Sequence, residues 1–213
     1  YIMSQVDPRE FVWAQKYRPR KIDDCILPAE TKDMLKGMIA KGEITHMLFS
    51  GGPGMGKTTA ALAIANELGS DVMIVNATME NGIDVLRTKI QGFASTMSLS
   101  DTGPKIVILD EADGLTHVMQ GALKGFIEAF SANCRFIFTA NAKHKIIEPI
   151  HSRCTVVDFH INPSDRPKIA AQFYRRVTDI LSKENVEFDY KAMAKLVERN
   201  IPDFRKTQNK QHP

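Results

Sequence analysis

The chain has 213 residues, of which 43% are hydrophobic and 25% are charged, and its formal net charge is +3. These values are ordinary for a globular protein with one large domain, or with a large and a small one, and they exclude a low-complexity chain. The small positive charge does not by itself indicate a nucleic-acid partner. We see no transmembrane run and no signal peptide, so we expect a cytoplasmic protein with no membrane partner.

Residues 1–28 contain two prolines that argue against a long helix. Two aromatic residues, Trp13 and Tyr17, stand there among apolar and basic neighbours. They could pack on the core or form the wall of a pocket for a base, and their chemistry alone favours packing. The next stretch, residues 29–41, predicts a short amphipathic helix that ends at Gly42.

From residue 46 onward, strand and helix patterns alternate. We predict strands over residues 46–50, 71–76, 105–110, 134–140 and 155–159, and helices over residues 59–68, 83–97 and 116–130. Alternation at this spacing predicts an α/β fold whose five-stranded parallel sheet is covered by helices on both faces, as three layers.

No strand pattern follows Pro163. Helices are predicted over residues 165–184 and 189–200, and residues 202–205 would open a third. We therefore expect an α/β domain over residues 1–160 and a small all-helical domain over residues 161–213. The polar closing run suggests a piece of a longer protein or a disordered tail.

The cysteines Cys25, Cys134 and Cys154 are scattered and odd in number. This pattern is typical of buried thiols in a reducing compartment and not of a disulfide framework. His151 and Cys154 share a helical-turn spacing, but a zinc site would need two further ligands at suitable spacings.

Residues 51–58, GGPGMGKT, have the spacing of a P-loop. The glycines allow a tight turn whose N–H groups form an anion nest, and the following helix adds the positive end of its dipole. Lys57 can reach the β- and γ-phosphates of ATP, and the Thr58 hydroxyl can ligate Mg²⁺. The expected nucleotide contacts in this stretch are Gly52, Pro53, Gly54, Met55, Gly56, Lys57, Thr58 and Thr59.

Polar residues also end two of the predicted strands. Ligands bind at the carboxyl ends of parallel strands, where the P-loop also lies. We expect Asp110 to hold Mg²⁺ directly or through water and Glu111 to polarise the attacking water. Asn141 could orient that water or touch the γ-phosphate, or it could simply favour a turn, and both interpretations stay open.

Arg153 lies just before the last predicted strand. Phosphoryl transfer needs positive charge at the transition state, and an arginine from a neighbouring subunit can supply it. The residues alone favour an ordinary surface arginine. The Asp-Glu-Ala-Asp box at residues 110–113 also occurs in a helicase family, but such helicases need two sheet domains, and the helical segment here cannot supply the second.

Several stretches together resemble the AAA+ clamp-loader family, which includes replication factor C small subunits and the large subunit of T-even phages. The match covers nearly all of residues 13–207. The stretches that carry it are residues 15–19 (QKYRP), 24–28 (DCILP), 75–87 (VNATMENGIDVLR), 105–113 (KIVILDEAD), 145–154 (KIIEPIHSRC) and 202–207 (PDFRKT).

This resemblance implies a P-loop AAA+ ATPase with a helical lid domain, acting as a subunit of a DNA sliding-clamp loader. It would couple ATP binding and hydrolysis to clamp opening and loading. The implied partners are the other subunits of a hetero- or homo-oligomeric ring, the sliding clamp and primer–template DNA. A phage-encoded member would work in the host cytoplasm.

The resemblance also implies roles for single residues. The adenine pocket would be lined by Ala14, Gln15, Lys16, Tyr17 and Ile26. Asn141 would be sensor 1, Arg205 would be sensor 2, and Arg153 would be the finger that acts on ATP held by the neighbouring subunit.

Further implied roles concern coupling and DNA. Either Asn76 or Asn81 would hold Glu111 idle until DNA arrives, and the sequence does not choose between them. Gln120 would help to couple sites across the ring. Arg87 and Lys124 would contact the DNA backbone near two helix starts.

The sequence departs from the family in two places. Family members carry a third, helical collar domain, which we do not expect within these residues, and Gly125 replaces a residue that is usually basic. The alternatives are another AAA+ DNA-associated ATPase of the branch-migration or remodelling type, a non-catalytic subunit that holds nucleotide, and a P-loop kinase.

Overall fold

A parallel sheet lies at the centre of the computed structural model, which describes residues 16–79, 82–96 and 103–201. Within these residues the sheet has five strands in the order β2-β3-β4-β1-β5, and all neighbours are parallel. The strands are β1 Met47–Ser50, β2 Val72–Asn76, β3 Lys105–Asp110, β4 Cys134–Ala140 and β5 Thr155–Asp158.

Helices connect the strands and follow them. They are α1 Ala29–Lys41, α2 Lys57–Glu67, α3 Ile83–Ser95, α4 His117–Phe130, α5 Glu148–His151, α6 Arg166–Lys183 and α7 Tyr190–Asn200. The predicted α/β fold and its helical extension are confirmed. The helix after the P-loop begins two residues earlier than predicted, directly after Gly56, whose left-handed φ of 86° closes the loop. The helix predicted from residue 202 lies outside the described residues.

The two faces of the sheet pack against different helices. Along β3, Ile106 and Ile108 belong to the core beneath α1, α2 and α6, whereas Val107 and Leu109 belong to the core beneath α3 and α4. Successive strand side chains point to opposite faces, so a strand buried on both faces becomes a continuous apolar run. This explains why the pattern of β3 was recognisable in the sequence.

The helices α6 and α7 pack by one apolar face each. Phe173 and Val177 of α6 and Val197 of α7 are buried in the same core as the P-loop helix α2. The helical segment is therefore in contact with the face of the sheet that carries the P-loop. The predicted domain boundary between residues 160 and 161 stays a prediction.

All three cysteines are free thiols; Cys25 and Cys134 are buried, as predicted, whereas Cys154 is half-buried. Burial raises the pKa of both Cys25 and Cys154 to about 12, so both thiols stay protonated near neutral pH. In the part of the chain that the structure describes, the helices are too short or too polar to cross a bilayer.

Candidate nucleotide site

A cavity opens where the carboxyl ends of β1, β3 and β4 meet, because these strands are neighbours in the sheet. It is lined by Arg18, Pro53, Gly54, Met55, Gly56, Lys57, Thr58, Thr59, Asp110, Glu111, Thr139 and Asn141. The structure thus brings together the predicted P-loop, the two carboxylates and Asn141. It adds Arg18 and Thr139, which the sequence did not single out.

The P-loop has the backbone conformation that its glycines permit. Gly54 and Gly56 have positive φ values of 75° and 86°. A Cβ on Gly51 would lie 2.9 Å from the Cβ of Phe159, so a side chain there would force the loop away from β5. The loop leads directly into α2, whose first N–H groups and dipole favour an anion in the cavity.

Lys57 is buried, and its ammonium is held at the rim of the loop. Its Nζ donates to the carbonyl oxygens of Gly51 at 2.6 Å and Gly52 at 2.8 Å, and to Oδ1 of Asn141 at 2.9 Å. The charge is therefore placed between the loop and the end of β4. A phosphate that enters the cavity could replace some of these oxygens as acceptors of hydrogen bonds from the Lys57 ammonium.

Thr58 and Asp110 form a pair that fits Mg²⁺. The Thr58 hydroxyl donates to Oδ1 of Asp110 at 2.6 Å, which leaves the lone pairs of the hydroxyl oxygen available. A hydroxyl and a carboxylate are hard oxygen ligands, and Mg²⁺ usually takes few protein ligands beside water and phosphate oxygens. The two oxygens are thus close enough to share one ion, and their binding of Mg²⁺ stays a prediction.

Glu111 has an unusual backbone conformation. With φ 57° and ψ 42° it lies in the left-handed region, which non-glycine residues rarely adopt. Its N–H donates to Oγ1 of Thr139 at 3.0 Å, and its carbonyl accepts from the N–H of Gly114 at 2.9 Å. These bonds fix the turn that places the residue in the wall of the cavity.

Thr139 is a site residue that the sequence analysis missed. It is almost fully buried in β4. Its hydroxyl donates to Oδ1 of Asp110 at 2.6 Å while accepting from the Glu111 N–H. One side chain thus positions both the predicted metal ligand and the predicted base.

We expect Thr139→Val to lower the free energy of unfolding by about 1–2 kcal/mol, since it removes the partly buried hydrogen bond from the Glu111 N–H as well as the bond to Asp110. Mg²⁺-dependent ATP turnover should fall by a further factor of about ten, because the carboxylates lose their common anchor. Thermal unfolding and a Mg²⁺ titration of turnover measure the two effects. The control is Thr155→Val, because the Thr155 hydroxyl pairs with that of Thr45 at the amino ends of the strands, away from the cavity. Equal Mg²⁺ dependence in both variants would contradict the assignment.

Asn76 and Asn81 were the two candidates for holding Glu111 idle, and the structure describes only the first. Oδ1 of Asn76 accepts from the N–H and hydroxyl of Thr78, at 2.9 and 2.6 Å. The Thr78 hydroxyl lies 3.3 Å from Oε2 of Glu111. Asn76 therefore approaches Glu111 through Thr78, while Asn81 lies outside the described residues.

The predicted adenine pocket is only partly described, because Ala14 and Gln15 lie outside the described residues, as does the predicted sensor 2 residue Arg205. Lys16 and Tyr17 both contact Glu184, which follows the last residue of α6, at 2.6 and 2.5 Å, and Ile26 packs against the core. These three residues are not among the described residues that line the cavity. Their contact with adenine stays a prediction.

Gln120 and Arg153 lie outside the cavity wall. Gln120 is buried, and its Nε2 donates to the carbonyls of Leu115 and Lys145 while its Oε1 accepts from the N–H of Ile147. Arg153 donates to the carbonyl of Pro149 and to a carboxylate oxygen of Glu128, at 2.7 and 2.5 Å. The roles of Gln120 in coupling and of Arg153 as the finger stay predictions.

The candidate DNA contacts lie on the two helices that cover one face of the sheet. Arg87 of α3 is exposed, and its guanidinium lies 5.5 Å from the ring centre of Phe126 on α4. Lys124 of α4 is half-buried. Contact of either residue with DNA stays a prediction.

Two family models match the chain. The model for the ATPase family associated with various cellular activities (AAA) matches residues 47–161. The model described as the AAA+ ATPase lid domain of the sliding-clamp-loader large subunit matches residues 165–212. The second match begins close to the start of α6.

Curated relatives match nearly the whole chain. It is 43% identical over 211 residues to the sliding-clamp-loader large subunit of Enterobacteria phage T4, which covers 96% of this chain and 65% of that protein. It is 40% identical over 205 residues to the replication factor C small subunit of Thermofilum pendens, covering 94% of this chain and 61% of that protein. The chain thus spans just under two thirds of the length of these relatives.

Solved structures agree on the fold. The Thermotoga maritima RuvB Holliday junction branch migration motor superposes with a TM-score of 0.69 at 20% identity, covering 91% of this chain and 63% of that one. At this identity the likeness concerns the fold alone. The match of the AAA model, which extends over more than half of the chain, shows that the chain belongs to the AAA family of ATPases.

Proposed function

We propose that the chain is an ATPase subunit of a DNA sliding-clamp loader, which couples ATP binding and hydrolysis to clamp opening and loading at primer–template DNA. The observation that carries this proposal is the match of residues 165–212 to a clamp-loader lid domain, which follows along the chain the domain that contains the P-loop cavity. The names of the curated relatives support it. Its partners would be the other ring subunits, the sliding clamp and the DNA.

The site residues would divide the work of phosphoryl transfer. Lys57 would bind the β- and γ-phosphates, while Thr58 and Asp110 would hold Mg²⁺, which neutralises charge on the phosphate oxygens. Glu111 would accept the proton of the attacking water. Asn141, already bonded to Lys57, would be placed to sense the terminal phosphate.

Arg153 would act on ATP bound by a neighbouring subunit. It precedes β5 at the amino end of the sheet, because Thr155 pairs with Met47, whereas the P-loop follows Ser50 at the carboxyl end. A strand of four residues separates these ends by about 10 Å. Its own cavity is therefore out of reach, and a second subunit would have to present its site to this arginine.

Gln120 would couple that arginine to the DNA side of the subunit. Two of its hydrogen bonds, with Lys145 and Ile147, join α4 to the loop of residues 145–147, and this loop leads into α5 and then to Arg153. We place the start of α4 near the DNA backbone, with Arg87 on α3 and Lys124 on α4 as contacts. Movement of α4 on binding DNA would thus move Arg153. The contact of Thr78, itself held by Asn76, with Glu111 would restrain the base until the same movement occurs.

The test is ATP turnover by the assembled complex with and without a sliding clamp and primer–template DNA. We expect clamp and DNA together to raise turnover at least about tenfold, because the bound DNA shifts the subunits to the hydrolytic arrangement. Four-way junction DNA without a clamp is the control. Stimulation by the junction alone would instead favour a motor of the branch-migration type.

A further inference from the structure

We infer that Arg18 binds the phosphate chain of ATP and that its neighbour Tyr17 transmits this contact to the lid helix α6. This inference rests on the proposed binding of ATP in the cavity. Arg18 lines that cavity together with the P-loop and both carboxylates. It is half-buried, and it is the member of the described wall that comes from the segment before α1.

The charges of the cavity explain why a second cation is needed. Asp110 and Glu111 place two carboxylates in the wall, and Lys57 opposes them with a single ammonium. A triphosphate brings several further negative charges into the same space, of which Mg²⁺ neutralises only part. A guanidinium can donate two parallel hydrogen bonds to phosphate oxygens, which a lysine cannot.

Arg18 lies in a bridge segment, residues 16–22, that joins the lid helix to the P-loop helix. On the lid side, Nη2 of Arg176 donates to the carbonyl of Tyr17 at 2.9 Å, and the Tyr17 hydroxyl donates to Glu184 at 2.5 Å. Both partners belong to α6 or cap its end. The carbonyl that Arg176 holds is part of the peptide bond that begins Arg18.

The other end of the bridge segment is fixed to the end of α2. The N–H of Ile22 donates to Oε2 of Glu67 at 2.7 Å, and Nδ2 of Asn66 donates to the carbonyl of Arg20 at 3.0 Å. A pull on Arg18 by phosphate is therefore resisted on the P-loop side. The displacement passes to the lid through the Tyr17 peptide, so occupation of the phosphate site and the position of α6 become coupled.

Binding of a fluorescent ATP analogue with a 2′/3′-methylanthraniloyl group tests the phosphate contact. We expect Arg18→Ala to weaken binding about tenfold or more and Arg18→Lys to recover part of the loss, since the charge returns without the fork. The matched control is Arg20→Ala, because the exposed Arg20 contributes its carbonyl to the bridge segment. It should bind within about twofold of wild type.

Hydrogen exchange of the α6 amides at saturating ATP tests the coupling. ATP should slow exchange along α6 in the wild type and in Arg20→Ala, and it should have a much smaller effect in Arg18→Ala. Affinity of Arg18→Ala equal to wild type would overturn the phosphate contact, and so would an equal loss in Arg20→Ala. Equal protection of α6 in the two arginine variants would overturn the coupling. Absence of ATP binding by the wild type would instead refute the proposed function itself.

Discussion

Glu111→Gln is expected to lower ATP turnover by about 10²- to 10³-fold while ATP affinity stays within about threefold of wild type. The amide has the shape of the carboxylate but cannot accept the proton of the attacking water. The backbone bonds of residue 111 to Thr139 and Gly114 do not involve the side chain, so the turn should keep its conformation. An amide oxygen can also still accept from Thr78.

Single-turnover hydrolysis and equilibrium binding, on the same preparation and over a range of chain concentrations, separate the chemical step from affinity. Glu30→Gln is the matched control, because this glutamate is exposed on the first turn of α1 and is not among the described residues that line the cavity. Turnover of Glu111→Gln within threefold of wild type would refute its role as base. An equal loss of ATP affinity would show that Glu111 acts in binding and not in the chemical step.

The sequence located those parts of the site that local pattern determines. A P-loop needs glycines and a lysine at fixed spacing, and an acidic pair at the end of an apolar strand marks the same edge of a sheet. The structure accordingly brings Lys57, Thr58, Asp110, Glu111 and Asn141 together. Local pattern was sufficient because Asp110 ends a strand, Glu111 and Asn141 each follow a strand, and the P-loop joins a strand to a helix.

Thr139 could not be found in this way, because its role depends on strand register. Threonine is an ordinary strand residue, and nothing local marks it as a hydrogen-bonding partner of residues about 30 positions earlier. The parallel pairing of β3 with β4 sets Leu109 opposite Phe138 and thereby places Thr139 beside Asp110. Register between strands that are distant in sequence is a tertiary property.

Thr78 and Arg18 were missed for a related reason. Two asparagines at and after the end of β2 attracted attention, yet among the residues that the structure describes there, the Thr78 side chain is the one that reaches Glu111. Arg18 stands before a proline among other basic residues, where a solvated side chain is the ordinary expectation. Only the packing of the bridge segment against α2 and α6 brings it to the cavity.

Arg153→Ala is expected to lower ATP turnover by about 10³-fold or more in the assembled state, since an arginine supplied in trans contributes this much to phosphoryl transfer. ATP affinity of the isolated chain should not change, because Arg153 is absent from the described wall of its own cavity. Wild-type turnover should rise steeply with chain concentration and that of the variant should not. Turnover and binding across the same concentration series measure both effects.

The ion pair of Arg153 with Glu128 provides a control variant for the effect of Arg153→Ala. Its guanidinium is held by Pro149 and Glu128 on the surface of its own subunit, and the carboxylate partner is about half exposed. An exposed ion pair contributes little to stability, so both Arg153→Ala and Glu128→Gln should unfold within a few degrees of wild type. Only the first should abolish concentration-dependent turnover, because only it removes the charge that a neighbouring site would receive. Brisk turnover that is independent of concentration and insensitive to Arg153 would mean that one chain completes its own site, and the ring-dependent mechanism would then have to be abandoned.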